Sequence, residues 1–123
     1  MDKHKRLVTW KNIEELSDLI HLQVCSCVPK MDYKLRDQIE RATTSIGANY
    51  VEGYYSGSTK EFIRFLGYCR RSLAELGFWV AYCRTKKYVP DDLYASVDDL
   101  AIRTGYLLDR LILSLKEKIN NLP

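Results

Sequence analysis

The 123-residue sequence predicts an all-α protein, an antiparallel up-down-up-down four-helix bundle. Apolar residues recur at three- and four-residue spacing in four successive stretches, which is the signature of amphipathic helices. Pro29, Gly57 and Pro90 punctuate the chain between those stretches. No segment alternates with period two for long enough to compete as a strand, and six glycines and three prolines are too few for a turn-rich β protein.

The first helix is predicted to start at Thr9 as N-cap and to bury Ile13, Leu16, Ile20, Val24 and Cys27. Residues 1–8 would precede it as a basic arm carrying Lys3, His4, Lys5 and Arg6. Pro29 ends the helix, because the residue before a proline is pushed out of the α region. The second helix opens near Asp32 and presents Leu35, Ile39, Ala42, Ile46, Asn49 and Gly53 on one face. Gly57 suits the left-handed conformation that closes a helix.

Directly after it, Ser58 and Glu61 have the spacing of a capping box, with Ser58 as N-cap and Glu61 at the third helical position. The third helix then shows Phe62, Phe65, Leu66, Cys69, Leu73, Leu76, Val80 and Cys83, and ends through Arg84, Lys86 and Lys87, cations suited to the negative end of the helix dipole. Pro90, Asp91 and Asp92 start the fourth, whose face runs Leu93, Val97, Leu100, Leu107, Leu111 and Leu115. Short connections force neighbouring helices antiparallel. The chain reads as one domain over 1–123, with no internal repeat.

Composition narrows the function without choosing it. A net charge of +3 and a pI near 8.6 permit contact with nucleic acid but fall below the pI of about 9 usual for domains built for it. Cys25, Cys27, Cys69 and Cys83 lack zinc-finger spacing, so the expectation is free buried thiols in a reducing cytoplasm, with no metal and no cofactor. Neither a signal peptide nor a membrane span is predicted. His4 and His21 have no telling neighbours, and nothing resembles a nucleophile elbow, phosphate loop or acid pair, so an enzyme is not expected.

Asn49 and Glu52, beside Ser45 and Gly53, could form a polar site within the bundle. The preferred reading is that they tie the end of the second helix to its neighbours, since metal sites in bundles need several Glu or Glu-x-x-His ligands. Six consecutive apolar residues, Phe78 to Cys83, exceed what one core stripe needs, which predicts a subunit interface around Phe78, Trp79 and Tyr82.

Basic residues supply the candidate binding surface. Lys60, Arg64 and Arg71 share a stripe with Arg70 adjacent, and Lys34 and Arg41 lie one heptad apart on the second helix. Counting back from Gly57 sets Arg41 level with residues 70–73, which would gather Lys34, Arg41, Arg70 and Arg71 into one patch. Asp37 and Glu40 compete by pairing with Arg41 and Arg36. Repeated around an oligomer, such a patch would attract a polyanion.

The segment Arg41-Ala42-Thr43-Thr44-Ser45-Ile46, then Asn49, Glu52-Gly53, Ser58, Glu61-Phe62 and Phe65-Leu66, resembles a known motif. It is similar to that of bacterial four-helix-bundle proteins encoded in intervening sequences of large-subunit (23S) ribosomal RNA genes, relatives of the accessory variability determinant proteins of diversity-generating retroelements. The resemblance implies a homopentameric ring, which in the retroelement branch is a basic barrel that works with a reverse transcriptase and RNA. The combined expectation is a non-enzymatic oligomeric protein that binds RNA or DNA or assists a reverse transcriptase. The alternative is a structural or protein-interaction module with no nucleic-acid role.

Overall fold

The computed structural model describes residues 2–122, and among them only helices and turns occur. Helix α1 comprises Asp2–Leu19, a π-helical turn Ile20–Val24 and the last turn Cys25–Cys27. After the turn at Val28 and Pro29 and the 3₁₀ turn Lys30–Asp32 come α2 (Tyr33–Tyr54), α3 (Thr59–Thr85) and α4 (Asp91–Asn120). Val28 is extended, as the proline behind it requires.

The basic arm expected over residues 1–8 is corrected from Asp2 onward; Met1 lies outside the described residues. Thr9 is not a cap. It is buried inside α1, where its hydroxyl donates to the Lys5 carbonyl at 2.7 Å. Tertiary contacts extend the helix: the Tyr50 hydroxyl donates to the Arg6 carbonyl at 2.6 Å, and Trp10 packs on Tyr50 with ring centroids 5.5 Å apart. Helical propensity is a weak prior that such packing overrides.

The core stripes emerge largely as the apolar spacing predicts, with Leu16, Ile20, Ile39, Ile46, Leu66, Leu76, Val80 and Leu111 all fully buried. Two faces differ by one position. On α2 the buried residue is Tyr50 while Asn49 is half-buried, and on α4 Leu108 is buried while Leu107 is only partly so. At about 100° per residue, Leu108 lies roughly 40° to one side of Thr104 in the middle of the buried arc and Leu107 roughly 60° to the other, which puts Leu107 at the arc's edge. The true stripe, Leu100, Thr104, Leu108, Leu111 and Leu115, also buries a polar pair across helices. The Thr104 hydroxyl lies 2.6 Å from Asn12 Oδ1 and 2.8 Å from the Leu100 carbonyl, which satisfies it away from water.

Contacts between α2 and α3 run in opposite senses along the two helices. Gly53 meets Phe62 and Phe65, Ser45 Oγ lies 2.8 Å from Ser72 Oγ, and Arg41 reaches Glu75. The turn between them is built as its residues dictate. Gly57 has φ +75°, and Ser58 Oγ accepts from the Glu61 N–H at 3.2 Å. The capping box is only half formed, because the Glu61 carboxylate turns to Arg64 and the Ser58 N–H goes to Ser56 Oγ instead.

Candidate functional site

The outward face of α3 carries most of the residues that sequence spacing singles out. Its first half alternates guanidinium groups and rings. Arg64 stands over Phe65 and Tyr68, at 5.2 and 5.6 Å from their centroids, and Arg71 stands over Tyr68 at 5.7 Å. A cation over an aromatic face is attracted by the ring quadrupole, so both arginines are held in place without losing their charge. Arg64 is also forked onto Glu61, with bonds of 2.7 and 3.1 Å that neutralise part of its field. Among the described residues, Arg71, Lys60 and Lys34 make no ion pair.

The single patch expected from Lys34, Arg41, Arg70 and Arg71 is not assembled. Arg41 lies on the α2 side of α3, beside Glu75 at 3.7 Å, and donates to Gln38 Oε1. Arg70 lies on the α4 side, where it crosses Gly105 and binds Asp109 at 2.9 Å. Positions 70 and 71 are 100° apart on the helix, enough to send them to different neighbours. Ser45 pairs with Ser72, so Arg41 sits one turn beyond the predicted height and meets a carboxylate there.

The second half of the same face is apolar. Phe78 is 62% exposed and Tyr82 39%, with Trp79 half-buried between them at ring-centroid distances of 5.0 and 6.1 Å. Trp79 Nε1 donates to Glu75 at 3.2 Å, so one carboxylate links the basic and aromatic halves. Tyr106 and Leu113 add exposed apolar area on α4.

The remaining motif residues divide between packing and surface. Asn49 donates to the Ser45 carbonyl at 2.8 Å and lies 3.0 Å from its hydroxyl, a local tie within α2. Glu52, expected on or beside the inner face, is exposed, because it points one residue off the stripe that buries Gly53. Burial pushes the thiols of Cys25 and Cys83 up to about 11 and that of Cys69 up to about 12, which leaves them protonated and poorly nucleophilic at neutral pH. Among the described residues, no cluster of His, Cys, Asp or Glu is placed to hold a metal ion, and no helix is long and apolar enough to cross a membrane.

One feature escaped the sequence reading. At the end of the bundle where α1 begins and α2 closes, a cleft of about 360 Å³ is lined by Lys3, Arg6, Trp10, Tyr50, Tyr54 and Tyr55, among others. Its signal lay in Lys3, Arg6 and Trp10 at helical spacing, which a non-helical arm would have dispersed.

Residues 5–121 match the family model described as 23S rRNA-intervening sequence protein. The chain belongs to that family. Among solved structures it is similar to a protein of unknown function from the S23 ribosomal protein family of Bacteroides thetaiotaomicron, with 24% identity and a TM-score of 0.79, covering 88% of this chain and 97% of the other. That likeness shows the fold alone. No curated protein matches the sequence. The residues between Arg41 and Leu66 fix the α2–α3 corner: Gly53 under Phe65, Ser45 against Ser72, and Ser58 capping α3.

Proposed function

We propose that this family member is a non-enzymatic, oligomeric nucleic-acid-binding protein of the cytoplasm, reading RNA or DNA through the outward face of α3. The observation that carries it is the stripe Arg64, Tyr68, Arg71, two exposed arginines whose guanidinium groups lie 5.6 and 5.7 Å from the Tyr68 centroid, with Lys60 one turn before. Flat, weakly hydrated guanidinium groups suit phosphate and can stack on bases. The kinship with retroelement accessory proteins suggested by the motif adds a reverse transcriptase as a partner class.

The contacts along α2 and α3 support the antiparallel up-down-up-down order of a bundle, and the exposed aromatics of α3 support a homo-oligomer. A ring of five would repeat the basic stripe and offset its modest charge per chain.

The test is an anisotropy titration with a structured RNA and a DNA duplex at two salt concentrations. Parent protein should bind at micromolar or tighter affinity and weaken steeply with salt, because each phosphate contact releases counterions. Lys60→Glu with Arg71→Glu should abolish most binding, while Arg41→Glu with Arg70→Glu, already paired to carboxylates, should lose less. Absence of binding at low salt would overturn the reading.

A second reading, a protein-interaction module, is favoured by the exposure of Phe78. Light scattering of Phe78→Glu separates it. The variant should fall to monomer mass with unchanged helicity, whereas a parent that is itself monomeric would sink the oligomer.

A further inference from the structure

The geometry points to the cleft between the start of α1 and the end of α2 as a pocket for one unpaired nucleotide of a single strand, its base on the tyrosine and tryptophan rings and its phosphate on Lys3 and Arg6. This rests on the nucleic-acid reading above and names the form of nucleic acid that the chain would prefer. The site lies off the α3 stripe and draws on different residues.

Size comes first. A volume of about 360 Å³ falls at the lower end of small-ligand sites, which run from roughly 300 to 1,000 Å³. The walls are aromatic: Trp10 and Tyr50 pack at 5.5 Å, and Tyr54 and Tyr55 meet edge-to-face at 5.0 Å. Tyr55 is 78% exposed, an open ring face with little of the protein behind it. Any base can stack on such a face, since every base has a π surface.

Charge then selects among aromatic ligands. Lys3 and Arg6 are three residues apart on α1 and so share a side of the helix. Arg6 is held over Tyr54 and Phe62, at 5.6 and 5.0 Å from their centroids, and its Nε is buried without a hydrogen-bond partner. Neither cation makes an ion pair among the described residues. Two other clefts on the surface contain carboxylates, Glu14 and Asp18 in one and Asp37 and Glu40 beside Arg41 in the other, whereas among the described residues the charged groups lining this one are cations. Positive charge over aromatic walls fits a nucleotide. A duplex end, whose bases are already stacked and paired, does not enter.

The probe is a single-stranded DNA of about ten nucleotides, within the roughly 4–16 covered by known single-strand folds, carrying one 2-aminopurine. The full-length protein should quench its fluorescence and bind it at least tenfold more tightly than the same strand in a duplex. Tyr55→Ala should weaken single-strand binding by roughly 5- to 150-fold, the loss of one stacked base. Lys3→Glu should lower the slope of log affinity against log salt by about one. Neither exposed position should change helicity.

If single strand and duplex bind alike and Tyr55→Ala has no effect, the pocket is overturned while the α3 reading stands. A polyglutamate of equal length binding as tightly as the strand would also overturn it, in favour of simple charge attraction. Failure of every polynucleotide to bind at low salt would remove both.

Discussion

At one end of the bundle, where α2 turns into α3, the rings of Tyr50, Tyr54 and Phe62 and the Arg6 guanidinium pack around a close backbone approach at Gly53. At the other end, where α1 meets α2 and α3 meets α4, Pro29 stops α1, Pro90 precedes the first turn of α4, and buried thiols lie in the core. Tyr88 joins the two connections there by donating to Asp32 at 3.0 Å. Both ends must close a four-helix core against water. The first does so with aromatic rings and the Arg6 guanidinium, and the second with buried thiols and a carboxylate that accepts a hydrogen bond from the Tyr88 hydroxyl. Both ends thus set cations over rings, Arg6 over Tyr54 and Phe62 at the first, Arg84 over Tyr94 and Lys86 over Tyr82 at the second. But Arg84 also meets Asp91 at 3.9 Å, and the cleft lined by Lys3, Arg6 and the tyrosines lies at the first.

The largest expected effect tests the close approach. A Cβ at Gly53 would stand 2.7 Å from Phe65 Cβ and 3.0 Å from Phe62 Cδ1, and neither atom is the far end of a flexible chain. Gly53→Ala should cost about 1–3 kcal/mol as overpacking, read as a lowered thermal midpoint by circular dichroism. A midpoint equal to the parent's would mean that the corner yields.

Next comes the turn itself. Gly57 has open space around it but a positive φ, so its penalty is conformational and not steric packing. Gly57→Val should cost about 1–2 kcal/mol, and Gly57→Asn appreciably less, since Asn tolerates the left-handed region. Equal losses in the two variants would refute that distinction. Ser58→Ala removes the cap and should cost about 0.5–2 kcal/mol, typically near 1, by the same assay.

The thiol end should respond least near neutral pH. Folding raises the pKa of Cys25 and Cys83 from 9.0 to about 11, chiefly by burial, so their contribution is intact below pH 9 and is lost as pH rises through 11. Stability measured by urea titration should be flat from pH 7 to about 8.5 and then decline toward 11. In native buffer a thiol reagent should label Cys27, which is half-buried, ahead of the other three, which should react only on unfolding. Rapid labelling of all four would show that this end opens.

The sequence by itself determined the helices. Periodicity, proline breaks and the Ser58 cap were enough to place the starts of α2, α3 and α4 within a residue or two, because those signals act over one or two turns. The motif between Arg41 and Leu66 was equally legible, and so was the surplus of apolar residues at Phe78 and Tyr82. Tertiary structure decided the rest. Whether residues 2–8 coil depended on Tyr50 and Phe62, more than forty positions away, and no local rule reports that distance. Which cations stay unpaired depended on a rotation of 100° between Arg70 and Arg71 and on one turn of register between α2 and α3. Those set Arg41 beside Glu75 and Arg70 beside Asp109, and left Arg71 on Tyr68. Charge is written in the sequence, but its neutralisation is a matter of a few ångströms, fixed only when the helices pack.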